Sequence, residues 1–426
     1  MSDISTSSPT AAILTLGCKL NIADSEAMAR RLRDAGWRVT ERVHAGADAV
    51  IVNTCSVTHT ADRKSAHLVN VARRMAPGAT VALTGCLLET ALAERIDELG
   101  ADLVYRQPEQ LALAGRLTEL HPNAAPDVEV SAARKALKTR AFISAQEGCN
   151  DVCAFCIIPK TRGRERSKTV AWVVDEVRKR EAEGVNEVVI TGTQLGHYGS
   201  DLGIRLHDLI RALLDETSVP RIRMSSVQPQ DLTDDLIDLW SDARLCRHFH
   251  LALQSGSEGV LHRMRRRYTQ DQFRTAVRRL REAIPDVAIT TDVIVGFPGE
   301  TDAEFEESFE FCREMAFAGI HVFPYSQRSG TVAFKLSGQV VDAVKKQRVH
   351  RLIDLAGNLA LGYRDRLVGT TDTVLWEKRG EDGAWEGLTD TYVRTRAHSD
   401  IDLSNTLTAV RITAQDEDGL LGEVLA

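Results

Sequence analysis

A repeated alternation of short apolar runs with helix-length stretches constrains the fold of this chain more than any other feature. Ala11–Leu16, Ala49–Val52 and Thr80–Leu83 are rich in Val, Ile, Leu and Ala, as strands buried on both faces are. Ser25–Ala35 and Arg63–Met75 between them read as helices, so residues 11–120 predict a small parallel α/β domain. A longer series follows within residues 135–365. Its apolar runs, Glu187–Ile190, Arg221–Ser225, His248–Leu253, Ala288–Val295 and Gly319–Pro324, are separated by helical stretches at Ala171–Glu183, Leu206–Leu214, Asp234–Trp240, Gln270–Ala283 and Ala303–Met315. That beat predicts a full or partial β/α barrel. Residues 121–134 contain HPNAAPDVEV, with two prolines and no amphipathic period, and read as a linker. Residues 366–426 keep the strand period throughout and predict a small all-β barrel.

A chain of 426 residues exceeds one ordinary core. No apolar run approaches the roughly 20 residues of a membrane span. Residues 1–10 are polar, with neither a basic start nor an apolar core, and read as a frayed tail rather than a secretory signal. The expected location is the cytoplasm, where thiols stay reduced. Eight cysteines there point to metal or catalysis before disulfides.

The densest group is QEGCNDVCAFCIIPKTRGRERS, in which Cys149, Cys153 and Cys156 follow the strand-like AFISAQ. Three thiolates on one loop hold three irons of a 4Fe–4S cube and leave the fourth iron without a protein ligand. That open iron can chelate S-adenosylmethionine and pass it an electron. A closed zinc loop wants four ligands, and His197 is the nearest downstream candidate. A second trio is dispersed: Cys18 in TLGCKLN, Cys55 in VNTCSVT and Cys86 in LTGCLLE each follow one of the first three apolar runs. The carboxyl ends of parallel strands share one edge of the sheet, so these three converge in space. Cys246 and Cys312 have no such relation and read as packing residues.

CNDVCAFC resembles the signature of radical S-adenosylmethionine enzymes, and LGCKLNIADSE, VNTCSVT and LTGC resemble the amino-terminal domain of methylthiotransferases. HFHLALQSGSEGVLHRMRRRYT and DVIVGFPGET are similar to later barrel motifs of that family, and WEGLTDTYVRTRA to its terminal TRAM barrel. Within the family, LGCKLN, NTCSVTHTADRKS, RMRRRYT and HVFPYSQRSGT look most like the MtaB-type branch, which acts on N6-threonylcarbamoyladenosine at position 37 of tRNA. The branches acting on isopentenyladenosine and on a ribosomal protein share the cysteines.

The resemblance implies replacement of the adenine C2 hydrogen by a methylthio group, with two 4Fe–4S clusters and S-adenosylmethionine as cofactors. It implies the anticodon stem-loop of tRNA and an electron donor such as flavodoxin or ferredoxin as partners, with no membrane. Cys149, Cys153 and Cys156 would make the radical, and Cys18, Cys55 and Cys86 would hold the sulfur-donating cluster. Phe155, Gly192, Gln194, Ser225, Gln254 and Gly296 are the expected contacts to S-adenosylmethionine, because they stand in loops after barrel strands. Eight arginines against one acid between Arg263 and Arg281, and nine basic against three acidic residues between Arg134 and Lys168, suggest phosphate contact. Against this, the segment from Val368 onward has five Lys/Arg and twelve Asp/Glu, which repels phosphate. Either its RNA-facing side is locally basic through Arg394 and Arg396 around Tyr392, or it supports the other domains. A cluster-bearing RNA-binding protein without catalysis is the alternative from another class.

Overall fold

A computed structural model describes residues 8–90, 96, 98–121 and 139–425. The linker expectation for residues 121–134 therefore falls, after His121, outside the described residues, as do residues 1–7 of the tail.

The first unit is a five-stranded parallel sheet in the order β2-β1-β3-β4-β5, made by Thr10–Thr15 (β1), Arg38–Thr40 (β2), Ala49–Thr54 (β3), Thr80–Gly85 (β4) and Leu103–Tyr105 (β5). Helices α1 (Lys19–Asp34) and α3 (Leu113–Leu120) cover one face around Met28, Leu32 and Leu117, and α2 (His59–Met75) covers the other around Val69 and Ala72. Covering both faces is why β3 is buried at all six positions and reads as a continuous apolar run. β2 and β5 are three-residue edge strands, too short to show a period.

The second unit is an open β/α barrel. Arg140–Glu147 (β6), Arg166–Ser167 (β7), Glu187–Gly192 (β8) and Arg221–Met224 (β9) form one sheet in the order β7-β6-β8-β9. Ser226–Val227 (β10), His248–Leu251 (β11), Ala288–Val295 (β12) and Gly319–Pro324 (β13) form the next, joined to β9 by a bridge between Ile222 and Leu245. All neighbours except the short β7 run parallel. Asp234–Trp240 is one α-turn, Asp234–Ile237, followed by a 3-10 turn at Asp238–Ser241. The barrel does not close between β6 and β13. α1 of the first unit lies along β6, where the Phe142 N–H donates to Glu26 at 3.1 Å. An open strand edge is thereby capped by a carboxylate instead of another strand.

Residue alternation separates the two faces of the barrel wall. On β12, Ile289, Val293 and Val295 join the core under the helices, so Ala288, Thr290, Asp292 and Ile294 face the lumen. Asp342–Asp365 is a 24-residue helix packed against β13.

The last unit is a closed five-stranded barrel, β14-β15-β16-β18-β17, from Thr371–Arg379, Trp385–Thr389, Arg394–Ala397, Leu407–Gln415 and Leu420–Val424. It docks on the amino-terminal ends of the β/α-barrel strands. Arg247 Nε donates to Asp390 at 2.7 Å, Arg140 Nε to Glu377 at 2.9 Å, and Arg221 to the Leu388 carbonyl at 3.0 Å. Its acidic residues thus meet basic strand ends, which favours the supporting role over an RNA-facing one. Tyr392 (φ 70°) projects from it against His248, Arg223 and Arg140, with ring distances of 5.0, 4.6 and 5.5 Å. This ring is the floor of the lumen.

Candidate active site

The local cysteine loop is pinned by its own backbone. Cys149 N–H donates to the Gly163 carbonyl at 3.1 Å, Ala154 N–H to Met264 at 2.9 Å, and the Ala154 carbonyl accepts from Ala333 at 2.7 Å. Gly148 (φ 73°) precedes it, and a Cβ there would lie 2.0 Å from the Arg164 carbonyl oxygen. Only glycine lets the strand turn so close to the returning chain. The Asp151 N–H reaches Cys149 Sγ at 3.3 Å, and Arg266 Nη1 reaches Cys153 Sγ at 3.1 Å. Burial pushes the Cys149 thiol up to about 11 and Cys156 to about 12.

The dispersed trio assembles as the strand-end argument requires. Cys18 caps α1, Cys55 follows β3, and Cys86 opens the turn Cys86–Glu89 after β4. Gly17 (φ 104°) brings the Cys18 segment so near Cys55 that a Cβ would sit 3.0 Å from its sulfur. Asn21, wholly buried, ties the strand ends together by donating to the carbonyls of Leu16 at 2.6 Å and Thr54 at 2.9 Å. Burial raises the Cys55 thiol and lifts Cys86 to about 11.

Two buried arginines of the β/α barrel lock these sites side by side. Arg162, six residues past Cys156, donates from Nη2 to Asn21 at 2.6 Å and to Asp24 at 3.0 Å. The helical turn Ile158–Thr161 before it packs on the turn Cys86–Glu89. Arg162 Nε and Nη1 are buried without a protein acceptor. Burial opposes its charge, but Asp24 and the thiols of Cys86 and Cys18 keep the guanidinium protonated. Arg328, after β13, donates to Asp62 and, at 2.7 Å, to Ser56. Sequence reasoning missed both. The only trace was basic residues inside the motifs KTRGRERS and YSQRSGT.

The residues fit iron–sulfur groups. Among the described residues, the one set of three or more candidate ligands with donor atoms all within 4.8 Å is His250, Asp292 and His321. Three soft thiol donors in each trio are the set that a 4Fe–4S cube takes with one iron left over, whereas a closed zinc site wants four ligands. Unsatisfied guanidinium N–H groups beside Cys86 suit an anionic, sulfur-rich neighbour.

The expected S-adenosylmethionine contacts gather near the local loop, with one differently explained. Phe155 packs against the buried cluster of Ala154, Met264 and Phe297. Gly192 N–H donates to Ser225 Oγ at 3.3 Å, and the Gln194 N–H to Gln146 Oε1 at 2.9 Å. Gln194 Nε2 is buried with no protein partner. Gln254 (φ 66°) stands in the β12 rail through its backbone, donating to Asp292 and accepting from Ile294, both at 2.8 Å. Gly296 (φ 72°) is crowded by Lys345, 2.3 Å from a hypothetical Cβ, so helix packing accounts for the glycine. Cys246 and Cys312 are buried in the core, 1% and 0% exposed.

Part of the arginine run is held in ion pairs, while Arg265, Arg267 and Arg278 stay exposed. Arg263 pairs with Glu304, Arg267 with Asp151, Arg274 with Glu314 and Arg279 with Asp234, while Arg266 turns inward to Cys153. These acids lie on elements far away in sequence, which hid them from sequence reading. Arg164, Arg166 and Lys168, beside the local loop, are exposed.

A partial β/α barrel with a three-thiol loop at its rim defines a radical S-adenosylmethionine enzyme, and the pattern of the radical SAM superfamily matches residues 143–312. The fold is similar to a solved radical S-adenosylmethionine methyltransferase, TsrM from Kitasatospora setae, with TM-score 0.53 and 16% identity over 75% of both chains. Residues 10–105 match UPF0004, an uncharacterized protein family. The chain is 35% identical to the threonylcarbamoyladenosine tRNA methylthiotransferase MtaB of Bacillus subtilis, over 95% of this chain and 93% of that protein. Identity to the Thermotoga maritima protein of that name is 34%, over 90% of each. A tRNA-2-methylthio-N(6)-dimethylallyladenosine synthase of Caldicellulosiruptor saccharolyticus is 32% identical over 97% of this chain and 92% of its own. The chain belongs to the radical S-adenosylmethionine methylthiotransferase family, whose cofactors are S-adenosylmethionine and 4Fe–4S clusters. No described helix is long and apolar enough to cross a membrane.

Proposed function

We infer that this enzyme replaces the C2 hydrogen of N6-threonylcarbamoyladenosine at position 37 of tRNA, next to the anticodon, with a methylthio group. The observation that carries the reading is the pair of three-thiol sites held against each other by Arg162, in a chain that matches MtaB proteins along nearly its whole length. An aromatic C–H is neither acidic nor readily displaced, and the bound clusters with S-adenosylmethionine supply the radical and sulfur chemistry that acid–base residues cannot.

Cys149, Cys153 and Cys156 would hold one cluster, to which S-adenosylmethionine would bind. Arg266 fixes the Cys153 sulfur and adds a positive charge beside it. Gln194, with its free Nε2, and the Gly192–Ser225 pair line the approach to that loop. Cys18, Cys55 and Cys86 hold the second cluster, with Arg162 supplying its unpartnered N–H groups. The amino end of α1 faces the same place and favours negative charge there. Exposed Arg164, Arg166 and Lys168 surround the mouth and contact RNA phosphates, giving salt-sensitive binding. A small reduced carrier such as flavodoxin or ferredoxin supplies the electron, and the protein works in the cytoplasm.

The test is nucleoside analysis of tRNA from a deletion strain. Loss of 2-methylthio-N6-threonylcarbamoyladenosine is the expected result, and an unchanged level excludes the reading. The similarity to dimethylallyladenosine-modifying synthases supports a second reading, under which the methylthio dimethylallyl nucleoside disappears instead.

A further inference from the structure

The barrel lumen holds polar groups that neither cysteine site uses. The column on β12 gives their depth. Ala288 packs with the carboxy-terminal barrel, and Ile294 packs against the cluster that holds Ala154 of the cysteine loop. Asp292 stands between them, about 7 Å of strand below Ile294. Across from it His250 Nε2 lies 3.1 Å from Asp292 Oδ1, and His321 is the register partner of Asp292 on β13. The His250 and His321 rings are 6.1 Å apart. Lys19 enters from the unclosed side of the barrel, its ammonium 5.8 Å from the Tyr392 ring.

Charge in this chamber is unevenly partnered. Arg140 is paired with Glu377 and Arg223 with Glu187. Among the described residues no carboxylate pairs with Lys19. His250 is 8% exposed, and its Nδ1 has no hydrogen-bond partner. Asp292 is the carboxylate of this layer and already serves His250. His250 spends its Nε2–H on Asp292 and keeps Nδ1 as an acceptor, so the donors of this layer that no carboxylate hydrogen-bonds are the Lys19 ammonium and an N–H of the exposed His321. An anion of small size completes it.

Resting on the substrate assigned above, we propose that Lys19 and His321, beside the His250–Asp292 pair, form an anion subsite in the lumen that binds the carboxylate of the threonyl arm of the substrate base. On an adenine ring, C2 and the N6 substituent project in different directions. With C2 held at the cysteine sites on the rim, the N6 arm has the lumen to enter. Asp292 acts as a positioning residue by orienting His250. A hydrocarbon dimethylallyl arm leaves both donors unmet, so the subsite also selects against that base. Sites built to hydrogen-bond a substrate group reject analogues lacking it more strongly than apolar pockets reject an added one.

The test uses reconstituted holoenzyme and anticodon stem-loop RNAs carrying N6-threonylcarbamoyladenosine, its methyl ester, or N6-dimethylallyladenosine. Wild type is expected to prefer the acid over the ester. His321→Ala and Lys19→Met should raise KM for the acid roughly ten- to a hundredfold, the loss of one hydrogen bond to a charged group, and erase the preference over the ester. Lys19→Arg should restore it. Iron per chain is measured for each variant, and if Lys19→Met loses iron through its neighbour Cys18, His321→Ala decides alone. A fully loaded His321→Ala enzyme that still discriminates acid from ester overturns the subsite while leaving the substrate reading intact. Wild type that ignores the threonylcarbamoyl RNA and modifies the dimethylallyl RNA overturns the reading itself.

Discussion

The two cysteine sites reach similar ends by opposite routes. Cys149, Cys153 and Cys156 sit on eight residues of one loop, pinned by backbone hydrogen bonds at Cys149 and Ala154. Cys18, Cys55 and Cys86 come from three strand ends, and exist as a site only once β1, β3 and β4 are paired in register. The first is encoded locally; the second is a product of topology. The second should accordingly depend on everything that holds the parallel sheet and its neighbour together, and the first should not.

The sharpest way to break the comparison is to remove one thiol from each site. Cys153→Ala should abolish release of 5′-deoxyadenosine, and Cys55→Ala should permit that release but stop methylthio transfer. Each variant should retain about four of about eight irons per chain, one cubic cluster's worth. Full iron in both would sink the two-cluster assignment.

Next in size is Arg162→Met, which leaves Asp24 buried without its cation. Removing one partner of a buried pair costs about 3–5 kcal/mol, so the melting temperature should fall by several degrees. Iron should be lost first from the dispersed site, read by comparing iron content with cofactor cleavage. Equal loss from both sites would contradict the topological dependence.

Arg266→Met addresses the local site by a gentler route, deleting the contact to Cys153. Metal retention or activity should drop about 10–100-fold, with a changed cluster potential seen by electrochemistry. Arg266→Lys, a point charge without the planar fork, should recover only part of it.

The smallest effect is on pH. Burial lifts Cys86, Cys149 and Cys156 in the folded apo chain to about 11 or 12, above the ordinary thiol value near 8.5. Between those limits the folded apo chain holds more protons than the unfolded one, so its stability falls as pH rises above about 8.5. Cluster-loaded protein has already released those protons. Thermal melts at pH 8 and 10 should therefore show a larger drop for apo than for holo protein.

The sequence made the sheet order of magnitude plain but not its margins. β3 is buried throughout and β4 at all but its first residue, and both were readable as apolar runs, whereas β2 and β5 have three residues each and no period to read. The helix Asp342–Asp365 carries a buried arginine, Arg348, whose partner Glu300 lies on another element. Such a residue reads as surface until its carboxylate is known. Both cysteine trios were legible because thiols are few and strand ends share an edge. Arg162, Lys19 and Tyr392 were not, since each acquires meaning only from contact with a distant segment. Four of the eight arginines from Arg263 to Arg281 likewise pair with acids on other elements, which no sequence spacing shows.

Tyr392 gives the carboxy-terminal barrel a further significance. Its ring stops the lumen at the end away from the clusters, stacked among His248, Arg223 and Arg140. A chain cut short before this barrel would turn a dead-ended chamber into a through-channel and strand Arg247 without its partners Asp372 and Asp390. Exchanging this domain between relatives would thus remodel the chamber's depth and lining, so that substrate preference would travel with a module far in sequence from either cluster.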